Sequence, residues 1–253
     1  MNKTVLITGA TAGFGEAIAR KFAKNQYNII ITGRRAERLE TLKIELEKEG
    51  CEVLTLAFDV RNKDEVKRAI NSLSEQWRAI DILVNNAGLA SGLDRIQDGQ
   101  SEDWDKMIDT NVKGLLYVSD AVIPLLIDRN NGHIINIGST AGKEVYERGN
   151  VYCASKHAVD AITKGMRIDL LKEGIKVTQI APGAAETEFS IVRFHGDQER
   201  AKRAYDGYQP MVAEDIAEVV YYTTTLPPHL CINDLVMTST SQANSMYFNK
   251  NQT

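Results

Sequence analysis

Six short apolar runs, each rich in Val and Ile, are separated by stretches whose apolar residues recur three and four positions apart. The runs are Thr4–Thr8, Asn28–Thr32, Glu52–Ala57, Ile80–Asn85, His133–Gly138 and Lys176–Ala181. Alternation of this kind predicts parallel strands buried on both faces between helices. The helices carry signals of their own. Leu39, Leu42 and Leu46 form one stripe that stops at Gly50, a residue suited to a left-handed cap. Asn62 with Glu65 three residues on predicts a helix start, and Ser101 ahead of Glu102 and Asp103 places acids in a first turn, where the helix dipole favours them. Long helices are expected from Ser101 to about Asp128 and from Val151 to Lys172. The predicted fold is α/β, a doubly wound parallel sheet in a single domain over residues 1–253.

Two segments escape the alternation. Residues 189–210 carry mixed charge and several aromatics, which suits a small helical lid over a substrate and equally a plain surface excursion. The polar tail from Gln242 to Thr253 is expected either to fray or to order against a partner subunit.

Composition then narrows the class. With 253 residues and 43% hydrophobic content the chain can bury a large core, and a formal charge of −4 without any basic run argues against nucleic acid or an anionic membrane as partner. No apolar run is read as a membrane span, and a strand predicted from Thr4 leaves no room for a cleavable leader, so a cytoplasmic location is expected. Cys51, Cys153 and Cys231 are too scattered for a disulfide framework, and His133, His157, His195 and His229 show no ligand spacing, so no metal is expected. Cys153 points away from its neighbour Tyr152 on a helix and is expected to pack.

The candidate chemistry lies in two places. Gly9, Thr11, Ala12, Gly13, Phe14 and Gly15 follow the first strand and open the first helix, as in a Rossmann-like dinucleotide turn where backbone amides meet a pyrophosphate. The Gly-x-x-x-Gly-x-Gly spacing differs from the commoner fingerprint and lacks the Gly-Lys-Ser/Thr ending of a nucleoside triphosphatase. Arg34 and Arg35 end the second strand, where an acid would bind ribose hydroxyls, and their guanidinium forks suit a 2′-phosphate, favouring NADP over NAD. Tyr152 and Lys156 lie four apart, on one helical face. An ammonium about 4 Å from a phenol supplies roughly 4 kcal/mol at an effective dielectric of about 20, enough to draw the phenol from its usual pKa toward neutrality for general acid-base work.

With the glycine turn, Asp59-Val60, Asn86-Ala87-Gly88, Asn111, Ser139, Tyr152, Lys156 and Pro182-Gly183 in this order, the whole chain resembles the short-chain dehydrogenase/reductase family. The resemblance implies that Asp59 and Val60 meet the adenine, that Asn86, Ala87 and Gly88 lie beside the adenosine ribose, and that Pro182, Gly183, Thr187 and Glu188 close around the nicotinamide. It assigns Ser139 to polarising the substrate oxygen, Tyr152 to proton transfer, Lys156 to lowering the tyrosine pKa while holding the nicotinamide ribose, and Asn111 to fixing a relay water. It also implies a homotetramer. Gly9 to Glu16, Thr32 to Arg35, Ile137 to Gly142 and Thr187 to Ser190 are most similar to the NADP-dependent 3-hydroxy acid dehydrogenases, whose substrates include serine and allo-threonine. The segment Lys143 to Arg148 is more charged than that subgroup leads one to expect. A small hydroxy acid needs a cation for its carboxylate, and Arg193, Lys143 and Arg148 are the residues expected to offer one. Reduction of a thioester, sugar or steroid ketone, and a non-catalytic NADP-sensing role, remain the competing expectations.

Overall fold

The computed structural model describes residues 2–250. All six predicted runs are strands: β1 (Thr4–Ile7), β2 (Asn28–Gly33), β3 (Val53–Ala57), β4 (Ile80–Asn85), β5 (His133–Ile137) and β6 (Lys176–Pro182). Two short strands, β7 (Ala185–Glu186) and β8 (Met211–Val212), pair beside the main sheet, and β9 (Asp234–Met237) adds a seventh strand to it. The main sheet is parallel in the order β3-β2-β1-β4-β5-β6-β9. Strand order reverses between β1 and β4, which creates the crevice where open α/β sheets bind ligands.

Each central strand serves two cores because successive side chains face opposite sides. Val5, Ile7, Ile29 and Ile31 pack toward α1 (Gly13–Lys24), α2 (Ala36–Glu47) and, late in the chain, α10 (Ala213–Thr224). Leu6, Ile30 and Leu83 pack on the other face among α3 (Lys63–Asn71), α6 (Leu115–Asp128) and α7 (Asn150–Asp169). Between α3 and α6 lie α4 (Glu75–Arg78) and α5 (Ser101–Ile108), and two short helices, α8 (Glu188–Arg193) and α9 (Gln198–Arg203), precede α10. The cap signals are in place. Asn62 Oδ1 accepts from Asp64 N and Glu65 N at 3.1 and 3.2 Å, while Gly50 takes a left-handed φ of +84° beyond α2.

The structure adds to the sequence reading in three places. The helix from Ser101 to Asp128 is continuous through a π-helical turn (Asp109–Gly114), and its 28 residues are long and apolar enough to cross a membrane. It nonetheless buries Leu115, Val118, Val122 and Leu126 against the sheet, as a core helix does. β9 went unread because it is a four-residue edge strand with only alternate side chains partly covered. The tail through Lys250 does not fray: Gln242 is buried, its Oε1 accepts from Ala184 N at 2.8 Å, and Phe248 stacks on Tyr208 with centroids 4.8 Å apart. Residues 251–253 of that tail lie outside the described residues.

His133 on β5 is buried against Thr178 Oγ1 at 2.7 Å, and burial, with a smaller push from Lys176, lowers its pKa to about 4. The folded protein therefore refuses a proton that the unfolded chain accepts below about pH 6.5. Stability from this group is complete above that pH and is lost as pH falls toward about 4. Urea unfolding at about pH 7 and about pH 4.5 is expected to show His133→Gln losing about 2 kcal/mol less stability between the two than the wild type.

Candidate active site

The carboxyl ends of the central strands open into one continuous cavity of about 630 Å³. At one end, Gly9 has φ +67° and a Cβ there would lie 2.9 Å from Ala87 Cα, while a Cβ on Gly15 would lie 2.4 Å from Gly9 O. Only glycine permits this approach of turn, helix and β4 loop. Thr8 Oγ1 accepts from Asn86 N and Ala87 N, both at 3.0 Å, and Asn86 Nδ2 donates to Thr8 O at 2.8 Å. No side chain caps α1, so its first amides are left to an anion in the cavity.

Three guanidinium groups frame this end. Arg35 Nη2 donates to Thr11 Oγ1 at 2.7 Å, and Arg34 Nη1 lies 3.9 Å from Asp59. Arg38, which the sequence reading missed, donates to both carboxylate oxygens of Glu188 at 3.1 Å. Glu188 thus spans from the lid to α2, with Arg35 at 3.6 Å, so its carboxylate faces the arginines and not the opposite end of the cavity. Burial works against the charge of Asp59, but Arg61, at 2.6 Å, and Arg34 hold its carboxyl below the usual range.

At the other end, β5 delivers Ser139 into a 3₁₀ turn (Thr140–Gly142), and its Oγ accepts from Ala141 N at 3.1 Å. The first turns of α7 present Tyr152 and Lys156, both buried. Lys156 Nζ donates to Ile137 O at 2.9 Å. Burial lowers the Lys156 pKa to about 8. The expected lowering of the tyrosine is not what the chain alone produces. Burial pushes the Tyr152 phenol well above its ordinary value, Tyr146 adds to this, and only the Ser139 hydroxyl and Arg193 act against it. Burial dominates because the phenol lies in a water-poor wall that penalises its charged form.

Every catalytic and cofactor residue expected at the site lines the cavity except two. Gly15 sits behind the turn it tightens. Asn111 lies buried in the π-helical turn, its amide committed to Leu89 O and Leu89 N at 2.8 Å and to Ser155 Oγ at 3.0 Å. Of the three basic residues expected near the substrate, the structure keeps one. Lys143 is tied to Asp160 and Asp234 at 2.5 Å each, and Arg148 faces Glu147 outside the cavity. Arg193 lines it, with its guanidinium 5.5 Å from the Tyr146 ring and 5.7 Å from the Tyr152 ring. Its Nη2 is buried without a hydrogen-bond partner among the described residues. Phe189, the first residue of the expected lid, lines the cavity, as do Tyr146, Gln242, Ser245 and Phe248, which were missed. Tyr146 was legible only as part of a charged segment, and the last three sit in a tail with no periodicity.

The sequence pattern of the family described as short chain dehydrogenase matches residues 3–197. The chain belongs to that family. This dehydrogenase is 51% identical over 240 residues to the NADP-dependent 3-hydroxy acid dehydrogenase of Salmonella typhi, covering 94% of the chain and 96% of the relative. It is 47% identical over 248 residues to sulfoacetaldehyde reductase 2 of Chromohalobacter salexigens, covering 98% of each. Among solved structures, the closed form of serine dehydrogenase complexed with NADP+ superposes with a TM-score of 0.93 at 46% identity, covering 98% of this chain and 100% of that one. Serine dehydrogenase from Escherichia coli gives 0.83 at 42%, covering 95% and 99%.

A buried ammonium with one backbone carbonyl for company is a cost to the fold of this dehydrogenase at neutral pH. The lowered Lys156 pKa means that cost is absent well above pH 10.5 and complete below about pH 8. Lys156→Met is therefore expected to raise stability to urea at about pH 7 by up to about 3 kcal/mol, the size of the shift, and equal or lower stability would show the ammonium to be well compensated.

Proposed function

We propose that this chain is an NADP-dependent oxidoreductase that oxidises the hydroxyl of small 3-hydroxy acids, such as serine, allo-threonine or 3-hydroxypropionate, and reduces the matching semialdehydes or ketones. The observation that carries the reading is the placement of the half-buried Arg193 guanidinium, whose buried Nη2 has no hydrogen-bond partner, beside the Tyr152 ring. An acid group paired there would set a hydroxyl a few atoms away against the phenol. The residues of the dinucleotide end fit NADP: the glycine turn (Gly9, Thr11, Ala12, Gly13, Phe14 and Gly15) for the pyrophosphate, Arg34 and Arg35 for the 2′-phosphate, and Asp59, Val60, Asn86, Ala87 and Gly88 for the adenosine. Pro182, Gly183 and Thr187 would flank the nicotinamide and Tyr152 and Lys156 would hold its ribose, while Glu188 pairs with Arg35 and Arg38.

When bound, the cofactor accepts or returns the hydride. The chain moves the proton. Ser139 Oγ holds the substrate oxygen, and Tyr152 takes its proton as hydride leaves the carbon, or gives one back in reduction. Protonated Lys156 stabilises the phenolate that this requires. Asn111 acts through Leu89 and Ser155 as a positioning residue, and because its side-chain amide is committed, a relay water at this point would rest on backbone carbonyls. Residues 189–210 form the substrate lid, with Phe189 edge-on to Tyr152 at 5.7 Å. Exposed apolar side chains on and after the long helices, Leu116, Ile168 and Leu171, support a homotetramer, which we place in the cytoplasm. Sulfoacetaldehyde is a second reading, favoured by the reductase relative, because a sulfonate one methylene from the carbonyl would meet the same guanidinium.

The test is turnover followed by the absorbance of the reduced nicotinamide, with 3-hydroxypropionate, serine, 2-hydroxyethanesulfonate and uncharged propane-1,3-diol as substrates. Tyr152→Phe is expected to lose about a thousandfold in kcat while still binding NADP+. Arg193→Ala should raise KM for the acids about thirtyfold and for the diol far less. Efficient turnover of thioesters or steroid ketones in preference to the acids would assign the site to the rival carbonyl classes, and NADP+ binding with no turnover of any substrate would leave a sensing role.

A further inference from the structure

We propose that the folded C-terminal segment completes the substrate chamber and that Ser245 Oγ is the second donor, with Arg193, to the substrate's acid group. The inference rests on the reading of Arg193 given above. Among the described residues, six side chains hold a buried polar atom with no hydrogen-bond partner. Of these, only Arg193 and Ser245 line the cavity. Both present donors, a guanidinium N–H and a hydroxyl, and an acid group has at least two oxygens to receive them. A buried donor without an acceptor costs stability, so a pair of them lining one cavity is explained by a ligand that brings the acceptors.

Ser245 is held at the substrate end by three separate anchors. Its backbone N donates to Glu144 Oε2 at 3.0 Å, and Glu144 N donates to Thr140 O at 3.0 Å in the turn that Ser139 opens. On the near side, Gln242 Oε1 accepts from Ala184 N, next to Gly183, where any added Cβ would strike the Gln242 amide. On the far side, Phe248 stacks on Tyr208, just beyond α9. Asn244 Oδ1 accepts from Met246 N and Tyr247 N at 2.9 and 2.8 Å, fixing the turn in which Ser245 sits. The segment is thus tied to the serine turn, to the segment after β6 and to the lid. The unexpected charge at Glu144 has its explanation here: it anchors the tail.

The experiment compares the full-length wild type with Ser245→Ala, measuring kcat and KM for 3-hydroxypropionate and for propane-1,3-diol, together with the melting temperature. Ser245→Ala is expected to raise KM for the acid tenfold or more, with kcat within about threefold, because one charge-assisted hydrogen bond is lost. Its melting temperature should be no lower than that of the wild type, since the hydroxyl removed had no partner to lose. An unchanged KM for the acid overturns the proposal. So does a lowered melting temperature with equal losses on acid and diol, which makes the hydroxyl structural. A wild type that does not prefer the acid to the diol refutes the Arg193 reading first, and this proposal with it.

Discussion

Tyr152 and Lys156 share one face of α7 one turn apart, and both are withdrawn from water. That burial is the constraint around which the rest is arranged. In a water-poor wall the phenol resists losing its proton and the ammonium resists keeping its own, so burial alone favours a neutral, inactive pair. The chain supplies modest corrections: Ile137 O for the ammonium, and the Ser139 hydroxyl and Arg193 for the phenol. The remaining correction has to come from what binds in the cavity. The same wall that makes the pair costly also excludes solvent from a hydride transfer, which is why a dehydrogenase tolerates it.

The substrate end is assembled from parts far apart in sequence. Arg193 comes from the lid, with its Nε donating to Gly92 O at 3.4 Å while Gly92 N donates to Arg193 O at 2.9 Å. The tail arrives from the far end of the chain and is moored to Glu144. Lys143 works in the opposite sense, held by Asp160 and Asp234, so that of Lys143, Arg148 and Arg193 it is Arg193 that lines the cavity. At the dinucleotide end, Glu188 joins the lid to Arg35 and Arg38. These exposed ion pairs contribute little to stability, but they place the lid's first residue over the cleft.

What was legible in the sequence follows from periodicity and local chemistry. Runs such as Val5 to Ile7 and Ile29 to Ile31 announce strands because every residue is buried on one face or the other, and Asn62 announces a helix because its cap is a local hydrogen bond. The glycine turn and the Tyr152–Lys156 spacing are local too. The sequence reading failed where a residue's partner is distant. Nothing around Ser245 or Gln242 signals that Glu144 and Ala184 receive them, and the pairing of Lys143 with Asp234 decides its fate from 91 positions away. The sign of the tyrosine shift was misread for the same reason: spacing gives the neighbour, whereas burial depends on the whole fold.

The central claim is that the Tyr152 phenol becomes an effective base only when the cofactor completes its surroundings. The direct test is a titration of phenolate absorbance, taken as the difference between wild type and Tyr152→Phe, with and without saturating NADP+. The account predicts ionisation above about pH 10 for the chain alone and below about pH 9 with NADP+ bound. Ionisation at the same pH in both, above about 10, would contradict it.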